Sequence, residues 1–305
     1  QQCPKNIIQV AVPAPLYGCF DYLPGKDMDE ASLQPGCRVQ VPFGRHARIG
    51  IVLGCSDRST VPAGKLKAVQ SAFDTEPALP GAILRLLKWA ASYYQYPIGE
   101  VIQSALPALL RKGKPVSTSG QTLWRSSMQD NDNAAGLKRA PKQQQLYAYL
   151  QQHDHGLTDE QLNLQFDNWR PAMKALVSKG LVANSVQPCL PAAIADTEPG
   201  PRLNTEQQTI VDHVSSETAG YRAHLVHGVT GSGKTEVYMS LAQQLLAAAQ
   251  QVLVLVPEIS LTPQLTDRFR KRLGVTTAAL HSGMNDSQRL CAWSSAAKGN
   301  AQLVI

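Results

Sequence analysis

Residues Gly228-Val-Thr-Gly-Ser-Gly-Lys234-Thr235 match the pattern G-x-x-x-x-G-K-[ST] in full. A loop of this kind constrains its surroundings strongly, because it works only between a strand and a helix. Its glycines let consecutive backbone N–H groups turn inward toward phosphate oxygens, and the following helix adds the positive end of its dipole. Lys234 would neutralise charge on the β- and γ-phosphates, while the Thr235 hydroxyl would ligate Mg²⁺ through the nucleotide. Gly228, Thr230, Gly231, Ser232 and Gly233 complete the candidate cradle, with Lys234 and Thr235 as the candidate catalytic pair.

The flanking segments fit that context. "AHLVHG" before the loop reads as a buried strand, "EVYMSLAQQLLAAA" as the helix after it, and "QVLVLVP" as a second apolar strand of the kind a parallel sheet buries. An α/β lobe is expected from 203 to 305. "PEISLTPQ" follows the second strand, at the carboxyl end where such sheets bind ligands. Glu258, Ser260, Thr262 and Gln264 offer short polar groups there, suited either to a nucleic-acid backbone or to capping a helix that starts near Thr262. "TTAALHSG" reads as a third strand with His281 and Ser282 at its end.

Upstream the pattern changes several times. Within residues 1–110, "IIQVAV", "CRVQVPFG" and "RIGIVLGC" are short strands between Pro- and Gly-containing turns, which predicts a small sheet or barrel. A helical cap follows, with Ile83, Leu86, Leu87 and Ala90 at helical spacing and Pro97 as a break. Residues 111–140 lose hydrophobic periodicity and read as a linker. Arg111, Lys112 and Lys114 open it and Lys138, Arg139 and Lys142 close it, as a solvated run or a basic edge facing nucleic acid. Residues 141–187 hold three short helices, the second with Thr158 and Gln161 in capping-box register and the third ended by Gly180. Both a winged helix and a plain three-helix bundle fit them. Pro188, Pro191, Pro199 and Pro201 mark a second linker at 188–202. The fold expected is thus multidomain, α+β and then α/β.

Composition narrows the partners. The 305 residues are 43% hydrophobic, enough for several cores, and carry a formal charge of +6, which admits a polyanionic partner without requiring one. The six cysteines form no C-x-x-C pair, so no zinc site is expected in this segment, and a reducing cytosol fits them best. No apolar run reaches the roughly 18 residues a membrane span needs. The first residue is Gln, so a fragment of a longer protein is expected.

Taken together, "GVTGSGKTEVY", "VPEISLTPQ" and "LHSGMNDSQRL" resemble the first helicase lobe of the PriA family of superfamily 2 replication-restart helicases. "LNTEQQTIV" resembles the segment before its phosphate loop. "FDYLPG", "GCRVQVPFGRHARIGIV" and "KLKAV" resemble its 3′-end-binding domain, and "LKRAPKQQQLYAYL" with "LVSKGLV" its winged helix. The resemblance implies a 3′-to-5′ DNA helicase using ATP and Mg²⁺ that recognises abandoned forks and helps reload the replicative helicase. Its partners would be forked and single-stranded DNA, single-strand-binding protein and primosome proteins, with no membrane, in the bacterial cytoplasm at nucleoid forks. The 3′-end pocket would be lined by Phe20, Asp21, Gly44 and Lys67; local pattern alone would make Phe20 core and Asp21 a turn residue. Gln207 would touch the adenine, and Ser260, Thr262 and Gln264 the DNA strand. The family's D-E-x-H box, arginine finger, second lobe and Zn²⁺-binding cysteines would lie beyond residue 305. The chain alone is therefore expected to hydrolyse little ATP, and the alternative is a DNA-binding or adaptor module with a non-hydrolysing loop.

Overall fold

Alternating β-branched residues at the start of the chain pair as an antiparallel sheet. In a computed structural model, strands β1 (Ile7–Ala11), β2 (Phe20–Tyr22), β3 (Arg38–Phe43), β4 (His46–Ser56) and β5 (Ser71–Ala72) lie in the order β2-β1-β4-β3-β5. The structure describes residues 7–26, 28–117, 120, 122–127, 137, 140–186, 188–217, 220–257 and 262–305. They fall into two units, Gln1–Ser117 and Thr118–Ile305. Phe43 pairs with His46 across a two-residue hairpin, and Gly44 supplies the positive φ of +60° that this turn needs. The β2 edge is tied off by a bridge from Leu23 to Ala68, with Leu23 N–H bonded to the Lys67 carbonyl at 2.9 Å. This closes the sheet toward the segment leading into β5. Ile8, Val10, Val39, Val41 and Val52 fill its interior beside Tyr22 and Leu33.

Helices α1 (Gly81–Tyr93), α2 (Ile98–Ala105) and α3 (Ala108–Arg111) follow, each entered from a proline. In α1 the buried stripe is Leu84 and Leu87, whereas Ile83 and Leu86, expected inside, are exposed. Apolar residues surround this helix on more than one side, so periodicity found the helix and one of its buried residues, Leu87, but not Leu84. The outer face gathers Trp89, Tyr93 and Tyr94, with ring centroids of Trp89 and Tyr93 5.0 Å apart.

A buried ion pair lies inside this unit. Arg38 is 0% exposed and meets Asp74 in a two-pronged pair, Nε to Oδ2 at 2.9 Å and Nη2 to Oδ1 at 2.6 Å. Its Nη1 donates to the Leu110 and Lys114 carbonyls. Beside it, burial and then the Asp74 carboxylate push the Cys37 thiol from 9.0 up to about 11. The folded state therefore holds that proton more tightly than the unfolded chain. The stabilisation is complete below pH 9.0 and is lost as pH rises toward about 11. Apparent Tm, followed by circular dichroism across that window, should fall more steeply for the wild type than for Cys37→Ala. Parallel curves would remove Cys37 as the cause.

The second unit starts inside the stretch expected to be linker. Strand β6 (Thr122–Ser126) precedes α4 (Pro141–Gln151), β7 (Leu157–Thr158), α5 (Asp159–Gln165), α6 (Arg170–Ser178) and β8 (Val182–Val186). β6 pairs with both β7 and β8, and Leu137 is buried among the helices that follow. Thr158 and Gln161 form the capping box, and Gly180, at φ +71°, follows α6. The strand after α6 thus finds its partner upstream, in β6, and among the described residues it pairs with no strand that follows it. β6 sits in a polar stretch whose pairing is set by the open edges of β7 and β8, which its own pattern does not announce. Trp124 packs edge-on against Trp169 and donates to the Asp159 carboxylate at 2.7 Å.

The remainder is α/β: α7 (Thr205–Ser216), α8 (Lys234–Ala247), β9 (Val252–Leu253), α9 (Thr262–Leu273), β10 (Thr277–Ala278), α10 (Asp286–Ala297) and β11 (Leu303–Val304). The strands are parallel in the order β10-β11-β9. The expected strand at "AHLVHG" does not form, and Leu225 is 90% exposed. A central parallel strand needs hydrogen-bonded neighbours, and among the described residues β9, β10 and β11 pair only with one another. "QVLVLVP" is also not buried on both faces. Side chains alternate across the segment, so Val252, Val254 and Val256 pack inward while Leu253 and Leu255 face out. The Pro-rich stretch lies against this lobe, with Ile194 N–H on the Gly274 carbonyl and Glu198 N–H on the Lys271 carbonyl, both at 2.9 Å. Cys189 within it is disulfide-bonded to Cys291 of α10. Motif spacing could not show this pair, because 102 residues separate its members.

Candidate nucleic-acid interface and phosphate loop

In the first unit three separate stretches meet around an open cavity of about 230 Å³. β2 brings Cys19 to Tyr22, the β3–β4 hairpin brings Pro42 to Gly44, and the segment after β4 brings Thr60, Val61, Lys65 and Lys67. Phe20, Asp21, Gly44 and Lys67, scattered in sequence, therefore line one concavity. Phe20 stands edge-to-face on Phe43 with centroids 4.9 Å apart, which fixes its ring plane. The Tyr22 hydroxyl donates to the Pro42 carbonyl at 3.2 Å, tying β2 to the hairpin. Asp21 pairs with Gln9 across the sheet and accepts from the Ser59 hydroxyl at 2.6 Å. The Leu23–Ala68 bridge sets Lys67 beside the end of β2. Burial, and then Asp21, raise the Cys19 thiol. The result is an aromatic face, a carboxylate and two lysines around a hollow, chemistry suited to stacking a base and reading its edge or sugar.

In the second unit the phosphate loop enters α8 through Gly231 and Gly233, both at φ +84°. These are left-handed conformations that a side chain would oppose. A Cβ at Gly228 would lie 2.7 Å from Ser232 Oγ, so the bare position lets the Ser232 hydroxyl turn in against the loop. Lys234 donates to the carbonyls of Gly228 at 2.6 Å and Val229 at 2.8 Å, which draws its ammonium into the loop's concavity. Gln207, held by a capping box with Asn204 at the start of α7, donates to the Ser232 carbonyl at 3.0 Å. The loop, Lys234, Thr235 and Gln207 are therefore brought together. Behind them Glu236 of α8, largely buried, forms an ion pair with Arg268 of α9. That pair links the phosphate-loop helix to the helix in which Gln264 is exposed. Thr262 begins α9, whereas Glu258 and Ser260, like Cys3, Lys138 and Arg139, lie outside the described residues.

A family model described as a 3′DNA-binding domain (3′BD) matches residues 9–107, the unit that holds the cavity. The chain is 36% identical to the replication restart protein PriA of Haemophilus influenzae over 311 residues, covering 98% of this chain and 41% of that protein. The chain belongs to the PriA family. It is also 30% identical to the PriA of Synechocystis over 90% of its own length and 26% identical to the PriA of Bacillus subtilis over 94%, covering 42% and 44% of those proteins. A second model, described as the res subunit of a type III restriction enzyme, matches residues 201–304, the α/β part. The chain thus spans about two fifths of the length of the PriA relatives it matches.

Phe43, Val61 and Lys65 line the cavity, Ser59 joins it through its bond to Asp21, and none of the four was anticipated. Phe43 had one usable signal, its place beside Gly44 in a hairpin turn. Ser59 had none, because "CSDRST" reads as an ordinary polar turn. Among the described residues no cluster of three His, Cys, Asp or Glu side chains is placed to hold a metal.

Proposed function

We propose that this chain is the N-terminal part of an ATP-dependent 3′-to-5′ DNA helicase that recognises stalled or abandoned replication forks by holding the 3′ end of a nascent strand. In this reading the parent protein promotes primosome assembly and reloading of the replicative helicase in the bacterial cytoplasm, with single-strand-binding protein and primosome proteins as partners. The observation that carries the reading is the cavity bounded by Phe20, Phe43, Asp21, Gly44 and Lys67, within the region that the 3′DNA-binding model matches. A terminal base would stack on Phe20, an interaction worth about 1–3 kcal/mol. Bare Gly44 would let the strand approach the hairpin, and Lys65 and Lys67 would offset backbone phosphate charge. Asp21 would accept a hydrogen bond from the last nucleotide. A 3′-hydroxyl can donate that bond; a 3′-phosphate adds negative charge beside a carboxylate.

The phosphate loop fits a nucleotide, since its bare glycines and inward ammonium form a cradle for anionic oxygens. Bound MgATP would supply energy by transfer of its γ-phosphoryl group to water. The backbone N–H groups of Gly231 to Lys234 would hold the phosphates, Lys234 would trade its loop carbonyls for phosphate oxygens, Thr235 would face the magnesium and Gln207 the adenine. Ser260, Thr262 and Gln264 would follow the DNA strand, and zinc would belong to the parent protein outside this segment. A second reading, a DNA-binding or adaptor module whose loop does not hydrolyse ATP, is favoured by the commitment of the Lys234 ammonium to Gly228 and Val229.

Fluorescence anisotropy of the chain against forks whose leading strand ends at the junction in a 3′-hydroxyl or a 3′-phosphate tests the first reading. The hydroxyl fork should bind about tenfold more tightly, the worth of one hydrogen bond to a charged group, and Asp21→Ala should erase the difference. Equal binding of both forks, with only a salt-dependent affinity, would reduce the chain to a basic DNA-binding protein with a phosphate loop.

A further inference from the structure

We infer that Ser59 is a positioning residue for Asp21 and thereby sets the end selectivity of the cavity; this rests on the reading of that cavity as a 3′-end site. Ser59 belongs to the turn after β4 and Asp21 to β2, 38 residues apart in sequence. The Ser59 hydroxyl donates to Asp21 Oδ2 at 2.6 Å, within the short range of an O–H bonded to a carboxylate. The same oxygen accepts the Val61 N–H at 3.0 Å. A hydroxyl has one proton and two lone pairs. With the Val61 amide on one lone pair, the proton is directed at Asp21, so backbone, hydroxyl and carboxylate form an ordered chain. Asp21 Oδ1 has no hydrogen-bond partner among the described residues.

Two consequences follow for a ligand. First, the outer torsion of an Asp side chain is broad when unrestrained, and the Ser59 bond holds it at one value. One oxygen is thereby spent on the protein and the other is kept in one place for a donor on the terminal nucleotide. Second, Thr60 and Val61 line the cavity together with Asp21, so the same latch keeps the turn against the cavity mouth. A carboxylate free to rotate would still repel phosphate but would accept a hydroxyl proton in fewer of its orientations. Loss of Ser59 should therefore reduce the preference for a hydroxyl end more than it reduces DNA affinity overall.

The test is a double-mutant cycle on the full chain, using single-stranded oligonucleotides that end in a 3′-hydroxyl or a 3′-phosphate and reading both dissociation constants by anisotropy. Wild type should prefer the hydroxyl about tenfold, Ser59→Ala about threefold, and Ser59→Thr, which keeps the hydroxyl, close to wild type. In an Asp21→Ala background, adding Ser59→Ala should change nothing. If Ser59→Ala proves insoluble, Ser59→Cys is nearly isosteric but a weak donor and should behave alike. An equal loss of affinity for both ends, or no loss, overturns the positioning role while leaving the 3′-end reading intact. A wild type without any end preference overturns that reading and this inference with it.

Discussion

Asp74→Ala should destabilise the first unit by about 3–5 kcal/mol, the cost of leaving a buried charge without its counter-ion. Arg38 is fully buried. In the wild type Asp74 accepts from the Arg38 backbone N–H at 2.9 Å as well as from Nε and Nη2, so one carboxylate satisfies both the strand and the side chain. Truncation would leave the Leu110 and Lys114 carbonyls as neutral partners only. Arg38→Met together with Asp74→Leu should cost less than Asp74→Ala alone, since removing both charges removes the desolvation penalty along with the attraction. Hydrogen exchange read by mass spectrometry on peptides of β3 and β4 separates this unit from the other. Wild-type protection in Asp74→Ala would show that the pair contributes little.

What could be read in the sequence divides along the range of the interactions involved. The phosphate loop was legible because its chemistry is written in consecutive residues, and each glycine needed for a left-handed turn is spelled out. The capping box of Thr158 and Gln161, whose members are three positions apart, has the same local character. The cavity is different, because residues from positions 19–22, 42–44 and 60–67 meet only after the sheet forms. Read locally, Phe20 looked like core, and it does pack against the sheet's buried residues. Its exposed remainder is what faces the hollow, and family resemblance alone pointed there. Strand β6 and the Cys189–Cys291 pair were hidden for the same reason, since their partners are supplied by residues far along the chain. The absent strand before the phosphate loop makes the converse point. "AHLVHG" has the right composition, but composition cannot supply the neighbours that would pair with its backbone.

Lys234→Ala should weaken ATP binding by about 10- to 150-fold, the equivalent of a charge-assisted hydrogen bond worth about 1.5–3 kcal/mol. The ammonium has neutral partners in the loop, the Gly228 and Val229 carbonyls, and phosphate oxygens would replace them with charged ones. The gain on binding is therefore the difference between two bonded states, smaller than for a lysine taken from water into an empty loop. The same contacts make a second consequence testable. Removing the side chain frees two carbonyls that it holds inward, so residues 228–232 should lose order in the absence of nucleotide while α8, packed through Met239 and Ala242, stays intact. Titration with a fluorescent ATP analogue measures the first effect, and hydrogen exchange of loop and helix peptides measures the second. Unchanged affinity with a loosened loop would assign Lys234 to the architecture of the turn and favour a module that does not hydrolyse ATP. A large loss of affinity would place the lysine on the phosphates and favour the motor.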